Sequence, residues 1–202
     1  GGFVDELVRH SGDIDVYVAN DSDPNYLYRN DGTGHFKEVG VPSFTAFDEN
    51  GAAQASMGIA TGDVDGDGIL DLFVTNFSED FSTLYQGLGH GFFADRSRET
   101  GVGPITYRSL SWGTALADFD ADGDLDLVIA NGHIYPQIDA HPEIVGHYRQ
   151  RNSLLENRSA RGDAPPGAPP ETLFRDVTDR AGPGFQLARA HRGLAVGDYD
   201  ND

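Results

Sequence analysis

The sequence predicts an all-β fold, a β-propeller fragment of about three and a half four-stranded blades. Three observations support this fold class. The apolar segments are short, rich in Val, Ile and Phe, and bounded by Gly, Asp or Asn, as strands are. The 26 glycines among 202 residues favour a fold with many turns. The same pattern of strand, Asp-rich loop and strand also recurs along the chain.

The repeat is visible on both sides of the Asp-rich loops. The preceding segments are MGIATGD at 57–63, WGTALAD at 112–118 and RGLAVGD at 192–198. The following segments are DLFVTN at 71–76 and DLVIAN at 126–131, and DVYVAN at 15–20 matches both. Asp15, Asp71 and Asp126 are therefore spaced by 56 and 55 residues. A period of this length is typical of propeller blades, although a solenoid of sheets remains the structural alternative.

Each repeat also contains a predicted hairpin. Residues 25–39 and 82–96 have two strand-like runs around a Gly-containing turn, and residues 153–177 follow the same scheme. Insertions at 133–151 and 159–171 lengthen the third repeat and read as loops. We therefore divide the chain into a degenerate blade (1–54), two blades with Asp-rich loops (55–104 and 105–183) and the truncated start of a further blade (184–202), all in one propeller domain.

The charge excludes two classes of partner. The chain has 33 acidic and 14 basic residues and a net charge of −19, which argues against binding to nucleic acid or to an anionic membrane surface. No apolar stretch is long enough for membrane insertion. Of the acidic residues 25 are Asp and 8 are Glu, which places the charge in turns rather than on helices.

Two of the Asp-rich loops have the spacing of a calcium site, D-x-D-x-D-G-x-x-D. Positions 1, 3, 5 and 9 offer carboxylates, position 7 offers a backbone carbonyl, and Gly at position 6 allows the sharp turn. Such a set of hard oxygen ligands suits Ca²⁺ better than Mg²⁺. The predicted ligands of the first aspartate loop (63–71) are Asp63, Asp65, Asp67, the Ile69 carbonyl and Asp71; those of the second (118–126) are Asp118, Asp120, Asp122, the Asp124 carbonyl and Asp126.

The side chain of Asp124 is expected to point outward into solvent. A third cluster, Asp198, Asp200 and Asp202, forms only a partial site, because the sixth and ninth positions are missing. No site is predicted in the first repeat, where Leu7, Arg9 and Ser11 replace the carboxylates. An EF-hand is excluded because position 12 is Val or Ile inside a strand.

The residues G-x-A-x-[AG]-D-x-D-x-D-G-x-x-D resemble the FG-GAP/VCBS repeat of integrin α-subunit propellers and many secreted bacterial proteins. The run SWGTALADFDADGDLDLVIANGHIYPQID at 111–139, with RGLAVGDYDND at 192–202, resembles the cartilage-acidic-protein/UnbV (ASPIC/UnbV) family more closely. This resemblance covers nearly the whole chain. It implies a calcium-binding propeller that is extracellular or periplasmic.

We expect a non-enzymatic scaffold for protein interaction or adhesion, with the ions in a structural role. The sequence has no G-x-S-x-G, Walker or H-E-x-x-H motif, and no catalytic or organic-cofactor residues are assigned. The alternatives are a carbohydrate-binding propeller and the propeller domain of a larger secreted enzyme. The protein or glycan partner is unidentified.

Two other features have a functional and an ordinary interpretation. His133, His141 and His147, with Tyr135 and Glu143, are either a ligand or transition-metal site in the insertion 133–151 or simply solvated and capping groups. The Arg-Gly-Asp at 161–163 is either an adhesion motif or a product of composition.

Overall fold

A computed structural model describes residues 3–8, 13–159 and 173–198, the first of these ranges by its backbone. Twelve strands form three antiparallel four-stranded sheets, and in each sheet consecutive strands are neighbours. Sheet 1 contains β1 (Phe3–Val8), β2 (Ile14–Ala19), β3 (Tyr26–Asn30) and β4 (Phe36–Glu38). Sheet 2 contains β5 (Ser56–Gly62), β6 (Asp71–Asn76), β7 (Thr83–Gly87) and β8 (Phe93–Asp95). Sheet 3 contains β9 (Ser111–Ala117), β10 (Asp126–Asn131), β11 (Ser153–Asn157) and β12 (Phe174–Asp176).

The helical structure lies in the segments outside the strands. Helix α1 (Gly40–Ser43) lies between sheets 1 and 2, and α2 (Val102–Thr106) lies between sheets 2 and 3. Three 3₁₀ turns follow at Pro136–Ala140, Thr178–Arg180 and Pro183–Gln186. None of the helices among the described residues has the length and apolarity needed to cross a bilayer.

The sheets pack face to face in a row, with sheet 2 in the middle. Tyr17 and Leu27 of sheet 1 share a buried cluster with Leu72 and Tyr85 of sheet 2. The opposite face of sheet 2 shares a second cluster with sheet 3, formed by Val64, Phe73, Leu84, Val102, Leu127, Ile129, Leu155 and Phe174. The alternation along β6 sends successive side chains to the two neighbouring sheets, which explains why all six of its residues are buried. The all-β prediction is therefore confirmed, and the described sheets form a propeller-like fragment rather than a closed ring.

The first strands of sheets 2 and 3 approach each other closely. A Cβ on Gly58 would lie 1.9 Å from the carbonyl oxygen of Trp112, so only glycine permits this contact. The hydroxyl of Thr75 accepts a hydrogen bond from the Gly58 N–H (2.7 Å) and donates one to the Trp112 carbonyl (2.6 Å). At Gly58, the recurring Gly of the repeat thus allows contact between sheets.

One expected strand is not formed. The segment 192–198, which resembles β5 and β9 in sequence, has no strand structure. It is joined to sheet 3 by a hydrogen bond from the Gly113 N–H to the Arg192 carbonyl (2.8 Å). Strand structure requires a hydrogen-bonded ladder, and the described part of the chain supplies no partner strand for this segment.

Candidate metal centres

The two aspartate loops occupy equivalent places in the fold. The first joins β5 to β6, and the second joins β9 to β10. Gly68 and Gly123, at the sixth position, have φ of 83° and 101°, in the left-handed region where glycine is favoured. The fourth position is also left-handed, at Gly66 (76°) and at Ala121 (59°), which the sequence interpretation missed.

Three of the four predicted carboxylates come together in each loop. Asp63, Asp65 and Asp71 each offer an oxygen within 4.8 Å of the others. The corresponding residues Asp118, Asp120 and Asp126 form the same cluster in the second loop. Among the described residues, these are the groups of acidic and histidine side chains with the spacing of a metal site.

The carboxylate at the first position shapes each loop. Asp63 accepts hydrogen bonds from the Gly66 and Gly68 N–H groups, both at 2.8 Å. Asp118 accepts a corresponding bond from the Gly123 N–H at 3.1 Å. The backbone therefore curls around this carboxylate, which gathers the loop's oxygen atoms at its centre.

The carboxylate at the ninth position is buried and connects the loop to the third strand. Asp71 accepts hydrogen bonds from the Val64 and Gly87 N–H groups, both at 2.8 Å. Burial raises the pKa of Asp71 to about 6, and the neighbouring Asp65 and Asp63 contribute to the same rise. A cation beside this carboxyl would favour its charged form.

Asp126 repeats this arrangement in sheet 3. Its two oxygens accept hydrogen bonds from the Phe119 N–H (3.1 Å) and the Asn157 N–H (2.8 Å). Burial also raises its pKa, with Asp120 and Asp124 contributing. In sheet 1, Asp15 accepts a bond from the Asn30 N–H at 2.8 Å. The ninth-position contact is therefore conserved in all three sheets, including the one whose loop is degenerate.

The fifth-position carboxylates lie outside the two clusters. Asp67 is exposed and accepts a hydrogen bond from the Ile69 N–H at 2.8 Å, and Asp122 is exposed and accepts one from the Asp124 N–H at 3.3 Å. Their assignment as ligands, like that of the Ile69 and Asp124 carbonyls, stays a prediction.

The expectation that the Asp124 side chain points into solvent is wrong. The residue is only 8% exposed, and its Oδ2 accepts a hydrogen bond from the Ser159 hydroxyl at 3.0 Å. Ser159 follows β11, so strand pairing brings it to the loop although it is 35 residues away in sequence.

The remaining predicted groups are dispersed. Of the partial third cluster, Asp198 is described, whereas Asp200 and Asp202 lie outside the described residues, as does the Arg-Gly-Asp at 161–163. In the insertion, His141 pairs with Glu143 at 2.9 Å. His147 pairs with Asp139 at 3.4 Å.

His133 is separate from both of these pairs. It is buried, and its ring contacts those of Phe77 and Tyr135. The structure thus gives the histidines of the insertion three different environments.

The donor set fits calcium. Each cluster offers only carboxylate oxygens, with neutral backbone N–H groups fixing their positions, and hard oxygen donors are the ligands that calcium prefers. When bound, Ca²⁺ would supply the positive charge that offsets the repulsion among these carboxylates. In such a site Asp63, Asp65 and Asp71, and their counterparts Asp118, Asp120 and Asp126, would hold the ion.

Sequence comparisons support the repeat that contains both aspartate loops. The FG-GAP-like repeat model matches residues 10–74 and 63–129, more than half of the chain. Cartilage acidic protein 1 of Xenopus tropicalis is 28% identical over 145 residues, which are 72% of this chain. The chain spans 18% of the length of that relative.

Proposed function

The chain belongs to the FG-GAP-like repeat family, and from this premise we propose that it is a calcium-stabilised β-propeller segment that serves as a non-enzymatic scaffold for protein interaction outside the cytoplasm. The observation that supports calcium most strongly is the equivalent grouping of three carboxylates in two loops of the repeat. A single acidic turn arises readily from an Asp-rich composition, whereas two clusters at equivalent positions of the repeat favour a shared ligand.

The role of the ion in this proposal is structural. Each cluster lies at the turn between the first two strands of a sheet, and its ninth-position aspartate also contacts the third strand. An ion held there would link three strands through one group of oxygens. Binding free energy would then add directly to folding free energy.

The proposed interaction surface is the end of the sheets opposite to the aspartate loops. The β10–β11 connection, which contains the insertion 133–151, lies at that end because strand direction alternates along sheet 3. It exposes three large apolar side chains, Ile134, Tyr135 and Ile144. Hydrogen bonds from the His133 N–H to the Tyr148 carbonyl (2.9 Å) and from the Tyr148 N–H to Asp139 (3.0 Å) hold the loop in shape. A shaped loop with exposed apolar groups is suited to binding a protein partner.

An extracellular or periplasmic location belongs to the same proposal. It is supported by the family resemblance.

A carbohydrate ligand is the second candidate. Phe44 and Phe92 are both exposed, and their ring centroids are 6.5 Å apart. Exposed aromatic rings offer apolar faces on which sugar rings can stack. Glycan-array binding that is lost in Phe92→Ala and retained in Tyr135→Ala would favour this second function over protein interaction.

Calorimetry on the chelated 202-residue chain tests calcium binding. We expect about two sites, and we expect the double variant Asp65→Ala, Asp120→Ala to have neither. The matched control is Asp21→Ala, Asp23→Ala, which removes the same charge from an exposed loop. If the chelated wild-type chain gives no calcium-binding heat at millimolar calcium, the proposed ion role is wrong.

A further inference from the structure

One position on the third strand of each sheet lies across from the ninth-position aspartate. In sheet 2, Leu72 pairs with Tyr85, so the next pair along the strands is Asp71 with Gln86. Residues directly opposite each other in an antiparallel pair project to the same face and lie side by side. The side chain at this position is therefore next to the aspartate loop of its own sheet.

The equivalent position, opposite the ninth-position aspartate, is occupied by Glu156 in sheet 3 and by Arg29 in sheet 1. Leu127 pairs with Leu155, which puts Glu156 across from Asp126. Val16 pairs with Tyr28, which puts Arg29 across from Asp15. The three sheets therefore carry a neutral, a negative and a positive side chain at one equivalent position.

Gln86 shows that a side chain at this position reaches the loop's carboxylates. Its amide nitrogen donates a hydrogen bond to Oδ2 of Asp65, the third-position carboxylate. Its amide oxygen accepts a bond from Arg96 Nε at 3.3 Å. Because the Gln86 amide carries no net charge, this hydrogen bond leaves the negative charge of the first loop's aspartates unchanged.

Glu156 has the same number of side-chain atoms as Gln86 and therefore the same reach. Its side chain is 12% exposed, and Oε2 lies 3.6 Å from the exposed Arg180 guanidinium. A carboxylate in this position brings a further negative charge beside the second loop. Arg180 and Arg175, which lies across from Glu156 in β12, are exposed cations that offset part of this charge. The remainder attracts a cation and repels the neighbouring aspartates when none is bound.

Arg29 completes the series. Its sheet carries the degenerate loop, for which the sequence predicts no calcium site. A positive charge across from Asp15 opposes cation binding there. The positive side chain at this position therefore stands beside the loop that has the fewest carboxylates.

We propose that this third-strand position sets the calcium affinity of each loop, and that Glu156 makes the second loop the tighter site while Gln86 leaves the first loop weaker. This inference rests on the proposed function, since it concerns the same two calcium sites. A unit charge about 6 Å from a divalent ion in water changes the dissociation constant by about tenfold.

Single-loop backgrounds allow each site to be titrated alone. Asp65→Ala leaves the second loop, and adding Glu156→Gln should raise its calcium dissociation constant by about threefold to tenfold, because Arg180 and Arg175 offset part of the charge that is removed. Asp120→Ala leaves the first loop, and adding Gln86→Glu should tighten its constant by about tenfold. Glu143→Gln, which removes an exposed charge from the insertion at the opposite end of the sheets, is the control in both backgrounds and should leave the constants unchanged.

Calorimetry at low and at high salt separates the outcomes. Both shifts should shrink as ionic strength rises, because charge interactions at an open loop are screened. If neither single-loop background binds calcium, the proposed function fails. If both backgrounds bind calcium but Glu156→Gln and Gln86→Glu each change the dissociation constant by less than twofold, the proposed role of this position is overturned. If circular dichroism shows that the Glu156→Gln variant does not fold, the result for Gln86→Glu alone tests the proposal.

Discussion

The side-chain amide of Asn157 donates a 2.7 Å hydrogen bond to the backbone carbonyl of Val64, which joins sheet 3 to the first aspartate loop in sheet 2. The same amide donates to the Leu125 carbonyl at 3.0 Å in its own sheet. Asn157 is fully buried, and its backbone N–H also serves Asp126. One residue therefore connects both loops, so the order of the first loop depends on the packing of the third sheet.

Replacing Asn157 by Ala should destabilise the protein by about 1–3 kcal/mol, because it leaves two carbonyls without their donor in a buried place. Urea unfolding measures the loss, and amide exchange at Val64 and Asp65 should become faster. Asn50→Ala, at an exposed turn, is the control and should change the free energy of unfolding by less than about 0.5 kcal/mol. Equal effects from the two variants would contradict the proposed connection.

Replacing Gly58 by Ala should be more damaging than the same change at Gly193. The added Cβ at Gly58 would lie 1.9 Å from the Trp112 carbonyl oxygen, whereas a Cβ at Gly193 would meet nothing within 4 Å. We expect a loss of about 3 kcal/mol at Gly58, because two strands must separate. Both glycines stand five residues before an Asp-rich cluster, so thermal melting of this matched pair separates contact between sheets from intrinsic glycine flexibility. Similar melting temperatures would show that the close approach is not needed.

Asp71→Asn and Asp65→Asn should both weaken calcium binding but should differ in the chelated protein. Asp71 is fully buried and accepts hydrogen bonds from the Val64 and Gly87 N–H groups. An amide can accept only one of these two bonds, and its NH₂ group would face the other N–H. We therefore expect a loss of about 1–3 kcal/mol for Asp71→Asn in chelator. Asp65 also accepts two hydrogen bonds, from the Asp67 N–H and from Gln86, but it is only partly buried, so water can replace a lost partner. Asp65→Asn should therefore unfold in chelator at nearly the wild-type urea concentration.

The sequence predicted the parts of this structure that depend on local pattern. The Asp-rich turns at 63–71 and 118–126, the strands around them and the hairpins at 25–39 and 82–96 follow from short-range periodicity and turn residues, and all are present. The aligned segments LYRN, LYQG and LLEN also carry a signal for the third-strand contact with the ninth aspartate.

The features that were missed depend on contacts between distant segments. The burial of Asp124 results from Ser159, and the need for glycine at position 58 results from the backbone of β9. The bond between Asn157 and Val64 joins residues 93 positions apart. Segment 192–198 has a strand-like sequence, but strand structure depends on a partner strand, which periodicity does not reveal. Each of these requires the arrangement of the sheets to be known.

Lowering the pH should reduce the stability of the protein through protonation of His133, which lies in the insertion 133–151. Burial lowers the pKa of His133 from its ordinary value of 6.5, and the nearby Arg192 lowers it further, while Asp139 acts in the opposite direction. In the fold, His133 Nδ1 accepts a hydrogen bond from the Tyr135 N–H at 3.1 Å, which only the neutral ring can do. A lowered pKa in the folded state means that this contribution to stability is present above pH 6.5 and is lost as the pH falls through the folded-state value.

The variant His133→Asn keeps a hydrogen-bond acceptor but does not titrate. Between pH 7 and pH 5, the free energy of unfolding of the wild type should therefore fall more than that of His133→Asn. His141→Asn, at an exposed site, is the control. An NMR titration that placed the pKa of His133 at or above 6.5 would contradict the prediction.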